Sequence, residues 1–271
     1  MKQLFAVLLC AFLFVSAASA QNSAYHFVKG KEYKYLIEQT SMQMQEVNGQ
    51  TSTANSEVTM SVVYTLLETL ESGNLKMQAT IENALMINES DNGTQTLGSD
   101  MSGKSVIFEM TGRGQVVDVD SSIRKIDSEG IGLLIGATSI FPRLDGSKLS
   151  DGNSWSSTES DTTGEGESSI IEETERNYEI KGKKSVNGID CFEIALVSEA
   201  DREGKMVRGD QELIVNGTRN GKATIMYGIE EGVIVKFDAE INTDQTIVVP
   251  SNNMRVPITA TQTVKIELIT K

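Results

Sequence analysis

Several stretches of the chain alternate between apolar and polar residues. In residues 75–82 (LKMQATIE) the odd-numbered positions are apolar and the even-numbered positions are polar, and residues 233–241 (VIVKFDAEI) alternate in the same way after the first step. A period of two places the apolar side chains on one face of a β-strand and the polar side chains on the other. Strands with one polar face are typical of antiparallel meanders, so the pattern predicts a sheet of this kind.

Short turn signals separate these stretches and set the bounds of the predicted strands. Asn-Gly is a strong hairpin signal because both residues tolerate positive φ. The turn signals are Asn48-Gly49, Ser72-Gly73-Asn74, Asn92-Gly93, Gly112-Arg113-Gly114, Asn187-Gly188, Asn216-Gly217, Asn220-Gly221 and Glu231-Gly232. The predicted strands cover residues 25–46, 56–70, 75–88, 104–110, 115–120, 176–186, 189–200, 205–216, 222–229, 232–242 and 255–270.

One segment, residues 121–141, breaks the strand pattern. Its apolar residues recur at near-helical spacing, which predicts one or two short helices before Phe141-Pro142. The glycines in the segment oppose a long helix, since each costs about 1 kcal/mol relative to alanine. We expect its apolar face to pack on the sheet or to cover the mouth of a cavity. The residues at helical spacing are Ile123, Ile126, Ile131, Leu134 and Ile135.

The pattern as a whole predicts a single β-rich domain over residues 21–271. Residues 149–169 are polar and acidic, which predicts an exposed connector in which Trp155 begins a strand. Two possible β halves, residues 25–120 and 155–271, flank the helical segment and the connector. The expected fold class is mainly β: a strongly curved antiparallel sheet or half-barrel with one or two short helices packed on or inside it.

Residues 1–20 have the three parts of a cleavable secretory signal peptide. Lys2 supplies the positive charge, residues 4–15 (LFAVLLCAFLFV) form an apolar core, and Ala18-Ser19-Ala20 is a small-residue cleavage site. The alternative, an uncleaved anchor, is opposed by the short apolar run, since a spanning helix needs about 20 residues. Cys10 lies inside the apolar run, which opposes a lipoprotein signal. We therefore expect an exported protein, periplasmic or secreted, with no transmembrane segment after cleavage.

The chain is acidic, because 38 Asp and Glu residues against 24 Lys and Arg residues give a formal net charge of −14. Such a chain repels phosphate backbones, which opposes nucleic acid as a partner. Cleavage of the signal would leave Cys191 as the one cysteine, so no intramolecular disulfide could form. Cys191 lies in a predicted strand, and we interpret it as a small buried hydrophobe. An intermolecular bridge or a reactive thiol is the alternative.

The residues needed for common enzyme chemistries are missing from the sequence. His26 is the sole histidine and no Gly-x-Ser-x-Gly motif occurs, which opposes a serine hydrolase. A zinc site needs several His or Cys ligands, and no nucleotide-binding loop or dinucleotide fingerprint is present. The carboxylates of residues 165–175 crowd the predicted connector, and we interpret them as a solvated surface. We therefore expect no enzyme activity, no metal and no cofactor.

Methionine is in excess: the chain has 11, and most of them lie in the first β half. Flexible thioether side chains suit a pocket for varied apolar ligands, although ordinary core filling explains them as well. The predicted ligand-binding residues are Met60, Val62, Tyr64, Met77, Ile81, Phe108 and Met110 on the sheet and Leu134 and Ile135 on the helical segment.

Several motifs, each a turn or the start of a strand, follow one another along the mature chain. They are Lys29-Gly30-Lys31-Glu32-Tyr33-Lys34-Tyr35, Gly103-Lys104, Gly114-Gln115-Val116-Val117, Phe141-Pro142, Asp151-Gly152-Asn153-Ser154-Trp155 and Val186-Asn187-Gly188-Ile189-Asp190-Cys191-Phe192-Glu193-Ile194. In this order they resemble a family of uncharacterised exported bacterial proteins that carry a domain of unknown function. The architecture of such proteins is similar to the lipoprotein-carrier half-barrels of the Gram-negative periplasm. The resemblance implies a curved sheet with a helical lid over an apolar cavity, and it supplies no catalytic residues.

We expect a non-catalytic exported protein that binds an apolar ligand, such as a lipid or an acyl chain, in the bacterial envelope. The alternative is an interaction or structural module with no ligand cavity, whose outer sheet face or edge binds another envelope protein. A void enclosed between the sheet and the helical segment would favour ligand binding.

Overall fold

The computed structural model describes residues 23–47, 49–91, 93–120, 136–165, 168–208 and 211–269. In these ranges the helical structure is confined to one turn over residues 136–138 and to 3-10 turns at Ser99–Met101 and Pro250–Asn252. The predicted signal peptide and residues 121–135 of the predicted helical segment lie outside the described residues. The strands are β1 (Glu32–Val47), β2 (Gln50–Thr69), β3 (Leu75–Ser90), β4 (Gly93–Leu97), β5 (Ser105–Met110), β6 (Val116–Val119), β7 (Ser154–Glu165), β8 (Ser168–Val186), β9 (Ile189–Arg208), β10 (Gln211–Gly228), β11 (Ile234–Val249) and β12 (Met254–Leu268).

The strands form one open, curved antiparallel sheet, as the sequence pattern predicts. Its order is β6-β5-β3-β2-β1-β12-β11-β10-β9-β8-β7, and β4 pairs with β3 beside this path. The chain starts at the middle of the sheet, meanders to the edge at β6, crosses to the opposite edge at β7 and meanders back to the middle. The first half (β1–β6) and the second half (β7–β12) meet where Ile37 of β1 lies opposite Ile266 of β12.

The second half contains longer strands than the sequence pattern predicts. The single strand predicted over residues 205–216 is wrong, because its first part ends β9 and its last part begins β10. Asn216-Gly217 and Asn220-Gly221, predicted as turns, lie inside β10 and pair with both β9 and β11. Glycine inside a strand can mark a close approach of neighbouring atoms. A Cβ atom at Gly221 would lie 2.5 Å from the Oγ atom of Ser198.

The exposed connector predicted over residues 149–169 is also wrong. Ser154–Glu165 forms β7, the edge strand of the second half, and the chain continues directly into β8. Apolar residues are scarce in β7 because much of the strand is exposed to solvent. Trp155 lies at the start of the strand, as predicted, and stacks on Tyr178 of β8 with 4.9 Å between the ring centroids.

Residues 23–31, the N-terminal segment, cross the concave side of the sheet instead of pairing as a strand. The strand predicted over residues 25–46 therefore begins only at Glu32. The backbone N–H of Tyr25 donates to a carbonyl oxygen of the first half at 2.7 Å, and that of His26 donates to a carbonyl oxygen of the second half at 2.9 Å. The N-terminal segment thus ties the two halves together.

Residues 136–149, the covering segment, lie on the same concave side. The hydroxyl group of Tyr64 in β2 donates to the carbonyl oxygen of Ala137 at 2.6 Å. The backbone N–H of Leu144 donates to the carbonyl oxygen of Arg113, in the turn between β5 and β6, at 2.9 Å. The covering segment is therefore anchored on the first half at two points.

The main hydrophobic core fills the space between the first half and these two segments. Alternate residues of β1, β2, β3 and β5 point into it. Tyr25 and Phe27 of the N-terminal segment meet the ring of Phe141 edge-on, with centroids 5.4 and 5.5 Å away. Tyr64 packs against the same ring at 5.1 Å. Side chains therefore fill the concave face of the first half.

Candidate ligand-binding cavity

A cavity of about 890 Å³ lies on the concave face of the second half, beside the covering segment. Its wall comes from β1, β2 and β7–β12 on one side and from Ile140, Phe141, Pro142 and Arg143 of the covering segment on the other. Pockets for small molecules typically have volumes of about 300–1,000 Å³. The cavity is therefore of the size that holds an organic ligand.

The register of the sheet arranges the cavity wall in rows that cross the strands. In the first row, Ile37 of β1 lies opposite Ile266 of β12, which lies opposite Phe237 of β11. Isoleucines of β10, β9 and β8 continue this row, but they are buried in the core and do not line the cavity. The second row, two residues along each strand, consists of Gln39, Val264, Ala239, Ala223, Leu196 and Tyr178. The wall is thus largely apolar at this end, which we call the apolar end.

Further along the same strands the wall becomes polar. The third row contains Gln262, Ile241, Gly221, Ser198 and Arg176. The fourth row contains Arg219, Ala200, Thr174 and Glu159. The cavity therefore has a polar end, and the change from apolar to polar follows the strand direction.

At the polar end two guanidinium groups share one carboxylate. The Nη1 atom of Arg143 lies 3.3 Å from Oε1 of Glu159, and Nη1 of Arg176 contacts Oε2 of the same side chain. Arg219 pairs with Glu172 nearby. All of these side chains are partly exposed, so each pair contributes only about 0–1 kcal/mol to stability. The pairs matter more for the charge of the polar end than for the fold.

Trp155 and Tyr178 hold the covering segment against the cavity wall. The indole N–H of Trp155 donates to the carbonyl oxygen of Arg143 at 3.0 Å, and its ring lies flat on that of Tyr178. Burial raises the pKa of Tyr178 above its usual value, so the phenol is neutral at physiological pH. The covering segment is thereby fixed to both halves of the sheet.

The predicted ligand-binding residues on the sheet lie together, but chiefly in the packed core. Met60 lines the cavity and lies opposite Ile37. The other six are fully buried in the core of the first half and do not line the cavity. Leu134 and Ile135 lie outside the described residues. The six core residues are Val62, Tyr64, Met77, Ile81, Phe108 and Met110.

The cavity wall of the second half is not among the residues predicted from the sequence, although one signal for it is present. Arg176, Arg202 and Arg219 occupy inner-face positions of β8, β9 and β10, in phase with apolar neighbours. With Arg143, they are four of the eight arginines in the chain. A charged side chain is rarely placed in phase with a core-facing pattern unless it is paired. Arginines at such positions therefore indicate the polar end.

Cys191 lies apart from the cavity. It is fully buried and forms no disulfide, and burial raises the pKa of its thiol to about 11. The interpretation of Cys191 as a small buried hydrophobe is confirmed, because a protonated, inaccessible thiol is a poor nucleophile and cannot reach a partner chain.

Among the residues that the structure describes, no helix combines the length and apolar character needed to cross a bilayer. Over the same ranges, no group of three or more His, Cys, Asp or Glu side chains is arranged to hold a metal ion. The inner-face carboxylates Glu159 and Glu172 instead pair with arginines.

Comparisons with known proteins find a similar fold but no matching family. No protein-family model matches the chain, and no curated protein matches it in sequence. The chain is similar to a solved structure that describes lipid–protein interactions in lipovitellin, with a TM-score of 0.54 and 13% sequence identity. The match covers 90% of this chain and 26% of the lipovitellin chain, so this chain spans about a quarter of that protein chain. The similarity concerns the fold alone.

A second solved structure, a DUF1329 family protein from Desulfovibrio piger ATCC 29098, shares 11% sequence identity, with 85% of each chain covered. Its TM-score of 0.15 is too low to support a common fold. The sequence resembles an exported β-rich family with a lipid-carrier architecture. The comparisons support one part of this resemblance: the chain is β-rich and its fold is similar to that of a lipid-associated protein.

Proposed function

We propose that this protein is a non-catalytic binding protein that holds an apolar ligand, the acyl chain of a lipid or a related molecule, in the cavity of the second half. The observation that carries the proposal is the cavity of about 890 Å³ with two largely apolar rows of inner-face side chains. Removing apolar surface from water contributes about 25 cal/mol per Å². An acyl chain offers a large area of such surface and fits a wall built from several strands.

The fold similarity adds support. The solved structure with a TM-score of 0.54 is described in terms of lipid–protein interactions in lipovitellin. A curved sheet with apolar rows on its concave face gives this chain a surface that suits an apolar ligand.

The side chains that face the cavity favour binding without chemistry. In the described part of the chain the lining includes no histidine and no cysteine. The carboxylate of Glu159 is held between Arg143 and Arg176 and is engaged in contacts with both. We therefore assign a carrier or binding role rather than an enzyme activity.

An interaction module with no cavity is the alternative that the sequence leaves open. Such a module requires a concave face that is filled by side chains. The first half meets this requirement, because the aromatic rings around Phe141 occupy its concave face. The cavity in the second half favours ligand binding over this alternative.

The proposal includes export to the bacterial envelope, with cleavage between Ala20 and Gln21. The test is expression of the full chain in a Gram-negative host, followed by fractionation and N-terminal sequencing. A periplasmic protein that begins at Gln21 is expected. A cytoplasmic protein that still carries residues 1–20 would contradict export.

Binding is tested with the neutral apolar fluorophore N-phenyl-1-naphthylamine and a variant that fills the cavity. Ala223 lies in the second row between Leu196 and Ala239, so Ala223→Trp places a large ring in the space proposed for the ligand. Ala195→Trp is the matched control, since Ala195 lies on the neighbouring strand and points to the outer face opposite Thr224.

The native protein is expected to raise the fluorescence of the probe in a saturable manner. Ala223→Trp should weaken binding about tenfold or more, and Ala195→Trp should change it by less than about twofold, with circular dichroism showing that both variants fold. A native protein that shows no saturable binding, or equal effects of the two substitutions, would overturn the proposal.

A further inference from the structure

Resting on the proposed function, we infer that the ligand is an amphiphile with an anionic head group, whose chain lies along the apolar rows and whose head lies against Arg143 and Arg176. The chemistry that these arginines recognise is a carboxylate or phosphate group at the end of an alkyl chain. The inference assigns a head-group site to the polar end of the cavity.

The polarity of the wall changes along one direction, as the two ends of an amphiphile require. On β10, Ala223, Gly221 and Arg219 occupy successive inner-face positions. Such positions repeat about every 7 Å along a strand, so the row of Ile266 and the row of Arg176, two positions further along, are about 14 Å apart. A ligand that spans this distance meets apolar side chains at one end and guanidinium groups at the other.

Positive charge exceeds negative charge where the covering segment meets β7 and β8. Arg143 and Arg176 share the single carboxylate of Glu159, which leaves two positive charges against one negative charge. The contacts use Nη1 of each guanidinium, and a guanidinium carries five N–H donors in a planar fork. This local excess occurs in a chain with 38 acidic and only 24 basic residues. An incoming carboxylate or phosphate would balance it.

Two other carboxylates near the polar end do not cancel this excess. Glu172 is paired with Arg219, and Asp161 is exposed to solvent. The side chains of Arg143 and Arg176 are only 25% and 26% exposed. Their attraction for an anion is therefore less screened by water than the repulsion from Asp161.

A buried hydroxyl group without a partner marks the same place. Thr174 is 3% exposed, and its Oγ1 atom has no hydrogen-bond partner within the described ranges. Thr174 lines the cavity and lies opposite Glu159 in the register of β7 and β8. A buried polar group that lacks a partner costs free energy. The Oγ1 atom is shielded from solvent, so a rotation of the Thr174 side chain would bring it to a head-group oxygen and remove that cost.

The inference is tested by displacing N-phenyl-1-naphthylamine with four compounds that share a dodecyl chain and differ in the head group. Laurate and dodecyl phosphate are anionic, dodecan-1-ol is neutral and dodecylamine is cationic. We expect the anionic compounds to bind about tenfold more tightly than dodecan-1-ol, because hydrogen bonds between ionised partners are stronger than neutral ones. Dodecylamine should bind most weakly, and the ratio of the two anions distinguishes a carboxylate site from a phosphate site.

Two substitutions with opposite expected effects on laurate binding test the position of the head group. Arg176→Gln removes one guanidinium and leaves Glu159 with Arg143, so laurate should lose most of its advantage over dodecan-1-ol. Glu159→Gln removes the competing carboxylate, so laurate should bind more tightly than to the native protein. Arg255→Gln is the matched control, because Arg255 is exposed on the outer face of β12, and it should leave the preference unchanged.

The outcomes separate this inference from the proposed function. Equal displacement by laurate and dodecan-1-ol from the native protein would overturn the anionic head group and leave acyl-chain binding standing. Displacement by none of the four compounds would overturn both. A preference for laurate that survives Arg176→Gln and does not increase in Glu159→Gln would overturn the placement of the head group. If Arg176→Gln does not fold, the native series and Glu159→Gln decide the question.

Discussion

The hydroxyl group of Tyr64 donates a hydrogen bond of 2.6 Å to the carbonyl oxygen of Ala137. Both residues are fully buried, Tyr64 in β2 and Ala137 in the covering segment. Phe141 and Arg143 follow in the same segment and form part of the cavity wall. The position of that wall therefore depends on an anchor in the first half of the sheet, although most of the cavity wall belongs to the second half.

Replacement of Tyr64 by phenylalanine tests this anchor. Tyr64→Phe leaves the carbonyl oxygen of Ala137 without its partner in a dry interior, which costs about 1–3 kcal/mol of the free energy of unfolding. Urea unfolding measures the change, and the affinity for N-phenyl-1-naphthylamine should fall with it. A variant within about 0.5 kcal/mol of the native protein would show that the bond does not anchor the segment.

Close packing at Gly114 should make this position intolerant of alanine. Gly114 has a φ of +92°, and a Cβ atom there would lie 2.7 Å from the carbonyl oxygen of Pro142 and 2.7 Å from Cε2 of Tyr25. Gly103 is the matched control, because its φ is +80° and a Cβ atom there would meet nothing within 4 Å. Both Gly→Ala variants carry the backbone penalty of about 1–2 kcal/mol. Gly114→Ala should lose about 1–3 kcal/mol more by thermal or urea unfolding, and equal losses would contradict the packing.

Buried tyrosines should destabilise the fold in alkaline solution. Burial raises the pKa of Tyr227 to about 12 and the pKa values of Tyr25 and Tyr64 well above their usual value. The unfolded chain releases these protons near pH 10 while the folded chain retains them, so stability is complete below about pH 10 and falls above it. Each tyrosine lowers the free energy of unfolding by about 1.4 kcal/mol per pH unit in its window.

Urea unfolding at a series of pH values measures this slope. For Tyr227 the window ends near pH 12, where the folded chain also ionises. Tyr227→Phe should be less stable at neutral pH, because it loses the hydrogen bond of 2.6 Å to the carbonyl oxygen of Ala24. The same variant should show a shallower alkaline slope. A stability that stays constant as the pH rises through this window would contradict the burial of these phenols.

The thiol of Cys191 should be inert in the folded protein. It is fully buried, and burial raises its pKa to about 11, so little thiolate is present or accessible at pH 8. Iodoacetamide labelling followed by mass spectrometry of the peptide that contains Cys191 should show modification only after unfolding in urea. Labelling at equal rates in the native and unfolded states would place Cys191 at the surface.

Period-two alternation predicts most of the fold because almost every strand has one face toward the core. The strand predicted over residues 75–88 corresponds to Leu75–Ser90 and the one over 232–242 to Ile234–Val249, which extends further at its end. Asn-Gly pairs predict turns wrongly where they lie inside a strand. Gly217 suits its position because a Cβ atom there would lie 2.6 Å from the carbonyl oxygen of Asp244 in β11, and such an approach depends on the neighbouring strand.

The site could be predicted only in part, because a sequence pattern shows which residues face inward but not which part of the concave face is covered. Tyr64 and Phe108 lie in the core because the N-terminal segment and the covering segment, both far away in the sequence, fill that side. The second half also has apolar residues on its inner face, but there they lie beside a cavity. Methionine content could not distinguish these two situations, since a thioether packs equally well in a core and in a pocket wall.

The most direct measurement of ligand binding is photo-crosslinking with a fatty acid that carries a diazirine near the end of its chain. Leu196 and Val197 are neighbours in β9 but face opposite sides: Leu196 lines the cavity, whereas Val197 is 43% exposed on the outer face. Residue-level mass spectrometry should find the label on Leu196, Phe237 and Val264, with labelling suppressed by excess laurate and by Ala223→Trp. Labelling of Val197 and other outer-face residues, unaffected by laurate, would contradict acyl-chain binding in the cavity.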